Sequence, residues 1–222
     1  MPELEILFEK GCLDEAHIGK VNLKYAELFV SSIFYDSKIS KKYLYSILYH
    51  EFTHIVDRIK FFTEMEDERQ KRNLLFPYNE FYAAQVEITK LLELYYNPKK
   101  KIQTSTNIYG INGSSTLKNF LKDEINEFIL FSQFLNEHPS IENVQNIMYL
   151  LTYNIGYYSV CLKYKIDDNL FINPYQYSYI VDKINDLKKL FLNNEPSDKF
   201  CIEAHSMANS VVKEIAHHYN LL

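Results

Sequence analysis

The string His50-Glu51-Phe52-Thr53-His54, set inside a long run of helical periodicity, limits this chain more than any other feature. From Lys41 to about Phe62, Tyr43, Ile47, His50, Glu51, His54 and Arg58 recur at intervals of three and four and share one broad face. Asp36 or Ser37, and then Ser40, offer capping side chains before the run. Residues four apart on a helix project the same way, so both imidazoles can reach a single Zn²⁺ at about 2.0–2.1 Å each. Glu51 stands one step round the helix, beside such an ion without being aimed at it. From that position a carboxylate can act as general base on a water molecule.

Leu44, Ile47 and Leu48 are expected to bury the front of this helix, and Ile55 and Ile59 its rear. Two histidines and a glutamate in the middle of such a helix are costly to bury without a metal or other partners. A catalytic zinc site usually takes three protein ligands and keeps a fourth position open. The extended motif with a further glycine and a third histidine is absent, because Asp57 and Lys60 stand at those positions. The third ligand is therefore sought on a second helix, expected from near Asn79 to about Tyr96 after Pro77 interrupts the chain. Glu80 and Glu87 are the candidates there, Glu80 preferred, with His205 as a more distant one. They lie seven apart on roughly one face, so periodicity alone does not separate them. The small Ala83 and Ala84 would let this helix approach the first closely.

The HExxH string followed by a helix bearing Asn79-Glu80 and then Ala83 resembles the gluzincins, the thermolysin-like zinc peptidases. The short spacing, with Glu80 26 positions after His54, and the string Glu80-Phe81-Tyr82-Ala83-Ala84 look more like the compact ImmA/IrrE-like peptidases. The resemblance covers about residues 40 to 90. It implies His50, His54 and Glu80 as zinc ligands and Glu51 as the base. One departure stands out: the thermolysin-like pattern has an aspartate four residues beyond the third ligand, supporting a zinc histidine, and this chain has Ala84 there. That carboxylate must come from elsewhere.

The rest of the composition narrows the field. With 47% hydrophobic and 24% charged residues the 222-residue chain reads as globular. Five glycines leave no phosphate-binding loop or dinucleotide fingerprint. A formal net charge of -5 argues against nucleic acid as the main partner, and Lys99, Lys100 and Lys101 read as a solvated linker. Cys12, Cys161 and Cys201 have no paired spacing, so a reducing compartment is expected. The first residues lack the features of a signal peptide and no stretch suits a bilayer span, so the expectation is a cytoplasmic protein with no membrane partner.

Leu4 to Phe8, Ile18 to Leu23 and Leu28 to Phe34 are candidate strands. Residues 63–79 read as a charged connector, and Ile102 to Ser115 as a loop or marginal hairpin. Four further helices are expected at Leu117 to Leu135, Ile141 to about Tyr164, Tyr175 to Leu192, and from a Ser197 cap to about Tyr219. The fold class is accordingly α+β and mainly helical, with a small N-terminal sheet packed on a zincin-type helix. The expected division is a catalytic unit at residues 1–101 and a helical C-terminal region at 102–222, packed against it.

A peptidase also needs a donor for the developing oxyanion. His205 is the candidate, with Tyr153, Tyr157 and Tyr158 behind it. Arg58, one turn beyond His54, is expected to pair with an acid, a substrate carboxylate being the alternative. His217 and His218 are expected at a solvent-facing helix end. The reading is a zinc-dependent peptidase acting on a protein or peptide substrate, with a regulatory protein partner as a further expectation. The alternative is a non-catalytic, metal-stabilised helical interaction module of toxin, antitoxin or phage-regulator type.

Overall fold

The computed structural model describes residues 19–22, 27–30, 40–94, 97–110, 113–166 and 179–222. The candidate strand at Leu4 to Phe8, the capping positions Asp36 and Ser37 and the expected helix start at Tyr175 lie outside them. Among the described residues the order is β1 (Gly19–Asn22), β2 (Glu27–Val30), α1 (Lys41–Lys60), α2 (Glu68–Leu75), α3 (Tyr78–Leu91), β3 (Asn107–Gly110), β4 (Gly113–Thr116), α4 (Leu117–Glu137), α5 (Ile141–Lys163), α6 (Val181–Asn193) and α7 (Asp198–His218). The fold is α+β and mainly helical. β1 and β2 form an antiparallel pair, Gly19 opposite Val30 and Asn22 opposite Glu27, and β1 lies against α1. The marginal hairpin is real: β3 and β4 pair antiparallel, with Asn107 opposite Thr116.

Local chemistry sets the helix starts. Ser40 accepts from the Lys42 amide, Thr116 from Asn119, Ser140 from Asn143 and Ser197 from Phe200. α2 replaces the expected connector. Asp67 caps it by accepting from the amides of Arg69 and Gln70, and the helix ends at Leu75 before Pro77. Its charged sequence hid it, because Lys71 and Leu75 are buried but the other six residues are not. Of the positions expected to bury α1, Leu44, Ile47 and Ile55 do so, whereas Ile59 is 60% exposed at the helix end.

Two apolar clusters hold the helices together, and α3 and α5 contribute to both. Phe81 packs with Phe128, Leu151, Ile155, Phe191 and Phe200 in the first cluster. Ala84, Ile88 and Leu91 pack with Leu121, Tyr157 and Cys161 in the second. The small side chain of Ala84 is used against α5 as well. A Cβ added at Gly156 would meet the Phe81 carbonyl oxygen at 2.5 Å and the Ala84 Cβ at 2.7 Å. This close approach brings the tyrosines of α5 up to the polar face of α3. Cys161 and Cys201 are buried and unpaired. His217 and His218 are exposed in the last turn of α7, where His218 stacks on Tyr179. No helix among the described residues is long and apolar enough to cross a membrane.

Candidate metal centre

α1 and α3 face each other along the polar stripe of each. The four-residue spacing places the His50 and His54 rings edge to face, with centroids 4.8 Å apart. Glu80, in the first turn of α3, lies opposite both. His50 Nε2 is 3.6 Å from one Glu80 carboxylate oxygen and His54 Nε2 is 3.6 Å from the other. The ligand atoms of these three side chains all fall within 4.8 Å of one another. The side chains are 7%, 12% and 14% exposed respectively, so water does little to solvate them.

These separations suit a metal better than they suit hydrogen bonds. At 3.6 Å a nitrogen and an oxygen do not bond directly, and Glu80 Oε2 is buried with no hydrogen-bond partner. Two ligands held tetrahedrally at about 2.1 Å from one ion are about 3.4 Å apart. An ion between the three groups would satisfy the orphaned oxygen and both ring nitrogens together.

The electrostatics agree. Burial pulls the His54 imidazole down to about 4, despite the Glu80 charge, so its ring is neutral and its lone pair available. Burial also opposes charge on Glu80, yet its neighbours His54, His50 and Arg58 together hold its carboxyl below the ordinary value. Burial works against protonation of His50 too, but Glu80 and Glu87 outweigh it and raise the ring to about 10. Two carboxylates around one imidazole make a site that requires a cation, whether proton or metal.

Glu87 supplies the carboxylate that the sequence comparison left missing. Its Oε2 lies 3.0 Å from His50 Nδ1, at ion-pair distance though not aligned as a hydrogen bond. Nδ1 thus faces one carboxylate of α3 and Nε2 the other. Glu87 is 2% exposed and is itself held from α5: Tyr153 donates to Oε2 at 2.6 Å and Tyr157 to Oε1 at 3.0 Å. Burial and the Glu87 charge push both phenols well above their usual range, so they remain protonated donors. Tyr153 and Tyr157 are therefore committed to Glu87, and Tyr158 lies under the ammonium of Lys188. Tyr149, Tyr153 and Tyr157 stand four apart on α5, a spacing visible in the sequence that would have pointed to this ladder.

The cluster opens into a cavity of about 750 Å³ lined by Glu51, Arg58, Arg72, Asn79, Tyr149, His205 and Asn209 among others. Burial raises the Glu51 carboxyl to about 7, with the His50 charge opposing and Glu80 and Glu87 adding to it. His205 lies on the same cavity, but both ring nitrogens are occupied: Nδ1 is 3.1 Å from the Phe76 carbonyl oxygen and Nε2 is 2.8 Å from the Asn209 amide. Tyr149, which sequence reasoning passed over, lines the cavity and is 38% exposed. Arg58 forms no ion pair among the described residues; Glu68 and Glu80 attract its charge without reaching it. Asp57 is buried near Tyr78 and Cys201, and burial and then its charge push both of those groups up.

No protein-family model matches the chain, and no curated protein or solved structure matches it either. The functional reading therefore rests on the site.

Proposed function

We propose that the chain is a zinc-dependent peptidase in which His50, His54 and Glu80 hold the ion and Glu51 is the general base. The observation that carries this reading is the pair of 3.6 Å separations between two imidazole Nε2 atoms and the two oxygens of one largely buried carboxylate, whose Oε2 has no hydrogen-bond partner, open to a cavity. A zinc ion held there would supply Lewis acidity toward a carbonyl oxygen and toward water.

The chain's own residues supply the rest. Glu51, raised to about 7, is poised to take a proton from water near neutral pH and to pass it to the departing amide nitrogen. Glu87 holds His50 with Nε2 toward Glu80. Tyr149 lines the cavity, and burial and then the charges of Glu80 and Glu51 keep its phenol protonated, which makes it a candidate donor to a developing oxyanion. His205 is the second candidate for that task, on condition that its bond to Asn209 gives way. The likeness of residues 40–90 to ImmA/IrrE-like peptidases supports the same reading.

The test is zinc stoichiometry on protein purified without added metal or an affinity-tag histidine, followed by hydrolysis of a degenerate peptide library. One zinc per chain in the wild type, lost in Glu80→Ala, is the expected result. Glu51→Gln should keep the zinc and lose hydrolysis. Zinc held by the wild type and by Glu51→Gln, with no hydrolysis by either, would leave the metal-stabilised interaction module in its place.

A further inference from the structure

Arginine is scarce in this chain. Of 24 basic residues only Arg58, Arg69 and Arg72 are arginine, and two of these three line the cavity at the metal cluster. No lysine among the described residues does so. Arg58 projects from α1 one turn past His54, and Arg72 comes from α2, the helix that replaces the expected connector.

Neither guanidinium has a carboxylate partner among the described residues, and Arg58 Nε is buried with no hydrogen-bond acceptor. Burial and then the like charge of Arg72 pull Arg58 down to about 10, with Glu68 and Glu80 opposing. Two like charges facing one cavity with an unfilled donor are an arrangement that an anion completes. The planar guanidinium fork matches a carboxylate in a way an ammonium does not.

Geometry places that anion relative to the cluster. At about 1.5 Å of rise per residue, Arg58 stands about 6 Å along the helix from His54 and about 12 Å from His50, and an extended peptide advances about 3.3–3.6 Å per residue. A carboxylate at Arg58 therefore lies about two or three residues from a carbonyl held between His50 and His54. The amide side chains of Asn79, Gln145 and Asn146 line the same cavity and can both donate to and accept from a peptide backbone. We infer that Arg58 and Arg72 form a carboxylate subsite, and that the substrate class is a peptide carrying a carboxylate about two or three residues beyond the bond that is cut. The second half of this statement rests on the peptidase reading; the subsite itself does not.

The scarcity of arginine makes a direct test simple, since the full chain should give three guanidinium Nε–H signals in a nitrogen–proton correlation spectrum. Arg58→Lys and Arg72→Lys assign two of them by loss. The probes are acetyl-trialanine as free acid, its C-terminal amide, and acetyl-Ala-Asp-Ala amide, each titrated into zinc-loaded and metal-free protein at mildly acidic pH. The Arg58 and Arg72 signals should shift with a carboxylate peptide at least about tenfold more tightly than with the neutral amide, and Arg69 should stay still. A response to the free acid alone identifies a C-terminal carboxylate, and a response to the Asp peptide an acidic side chain. Equal shifts with the neutral amide, no shift of Arg58 and Arg72, or an equal shift of Arg69 would overturn the subsite. Loss of zinc binding or of Glu51-dependent hydrolysis would strike the peptidase reading alone, because the titration of metal-free protein reads the subsite without catalysis.

Discussion

The Glu87 carboxylate lies 3.0 Å from Nδ1 of His50, while Nε2 of the same ring faces Glu80 at 3.6 Å. One imidazole is thus bracketed by two carboxylates seven residues apart on a single helix. Removing the outer carboxylate exposes what it does. Glu87→Ala leaves His50 Nδ1 without its facing carboxylate and takes from the Tyr153 and Tyr157 hydroxyls their shared acceptor in a buried space, at a cost of about 3–5 kcal/mol. Glu87→Gln keeps the shape and should weaken zinc binding by about 10–100-fold. Chelator competition and urea melts read the two effects separately; wild-type zinc affinity in Glu87→Gln would show that the pair is incidental.

The tyrosine hydroxyls should be coupled through Glu87. Tyr153 and Tyr157 are 2.7 Å apart, oxygen to oxygen, and bind different oxygens of the same carboxylate. Each Phe substitution should cost about 1.5–3 kcal/mol, the range for hydrogen bonds to a charged group. In a double-mutant cycle the two losses should fail to add by about 0.5 kcal/mol or more. Simple additivity would mean that the two hydroxyls act independently.

Metal should stabilise the fold only where the cluster is whole. Free zinc at a hundred times its dissociation constant raises stability by about 2.7 kcal/mol. Thermal melts of the wild type should show that gain and lose it on chelation, whereas Glu80→Ala should show none. An equal gain in Glu80→Ala would place the bound ion elsewhere.

Gly156 separates packing from helix propensity. Alanine is favoured in a helix interior by about 1 kcal/mol, but its Cβ here would sit 2.5 Å from the Phe81 carbonyl oxygen. Backbone does not yield as a flexible side chain does, so overpacking of about 1–3 kcal/mol should win. Gly156→Ala is expected to lower the urea midpoint and, because α5 moves off α3, to weaken zinc binding too. A raised midpoint would mean that the helices do not approach this closely.

Asp57 gives the protein a pH dependence away from the metal cluster. Burial raises its carboxyl to about 7, with Lys60 opposing, against an ordinary value near 3.9. The folded chain therefore binds the proton more tightly than the unfolded one, and this contribution is fully present below about pH 4. It is lost as pH rises toward 7. Asp57→Asn should remove that slope and stabilise the protein at pH 8 by on the order of 1–3 kcal/mol. Melts of both proteins across this range check it, and parallel curves would refute it.

Sequence periodicity determined a good deal here. It placed His50, Glu51 and His54 on one helical face, located α1, α4, α5 and α7 with their serine caps at Ser40 and Ser197, and narrowed the facing acid to a pair. It missed α2, because Lys71 and Leu75 are too few buried positions to mark a period among charged neighbours. What periodicity reports is which residues of one helix share a face. It does not report where along that face a second helix crosses. Glu80 and Glu87 are equivalent by that measure, and only the axial offset between α1 and α3 sets one opposite Nε2 and the other opposite Nδ1. The same holds for the tyrosines of α5 and for Arg72. Their roles follow from how closely Gly156 lets two helices approach and from where α2 lands, long-range contacts that no local pattern encodes.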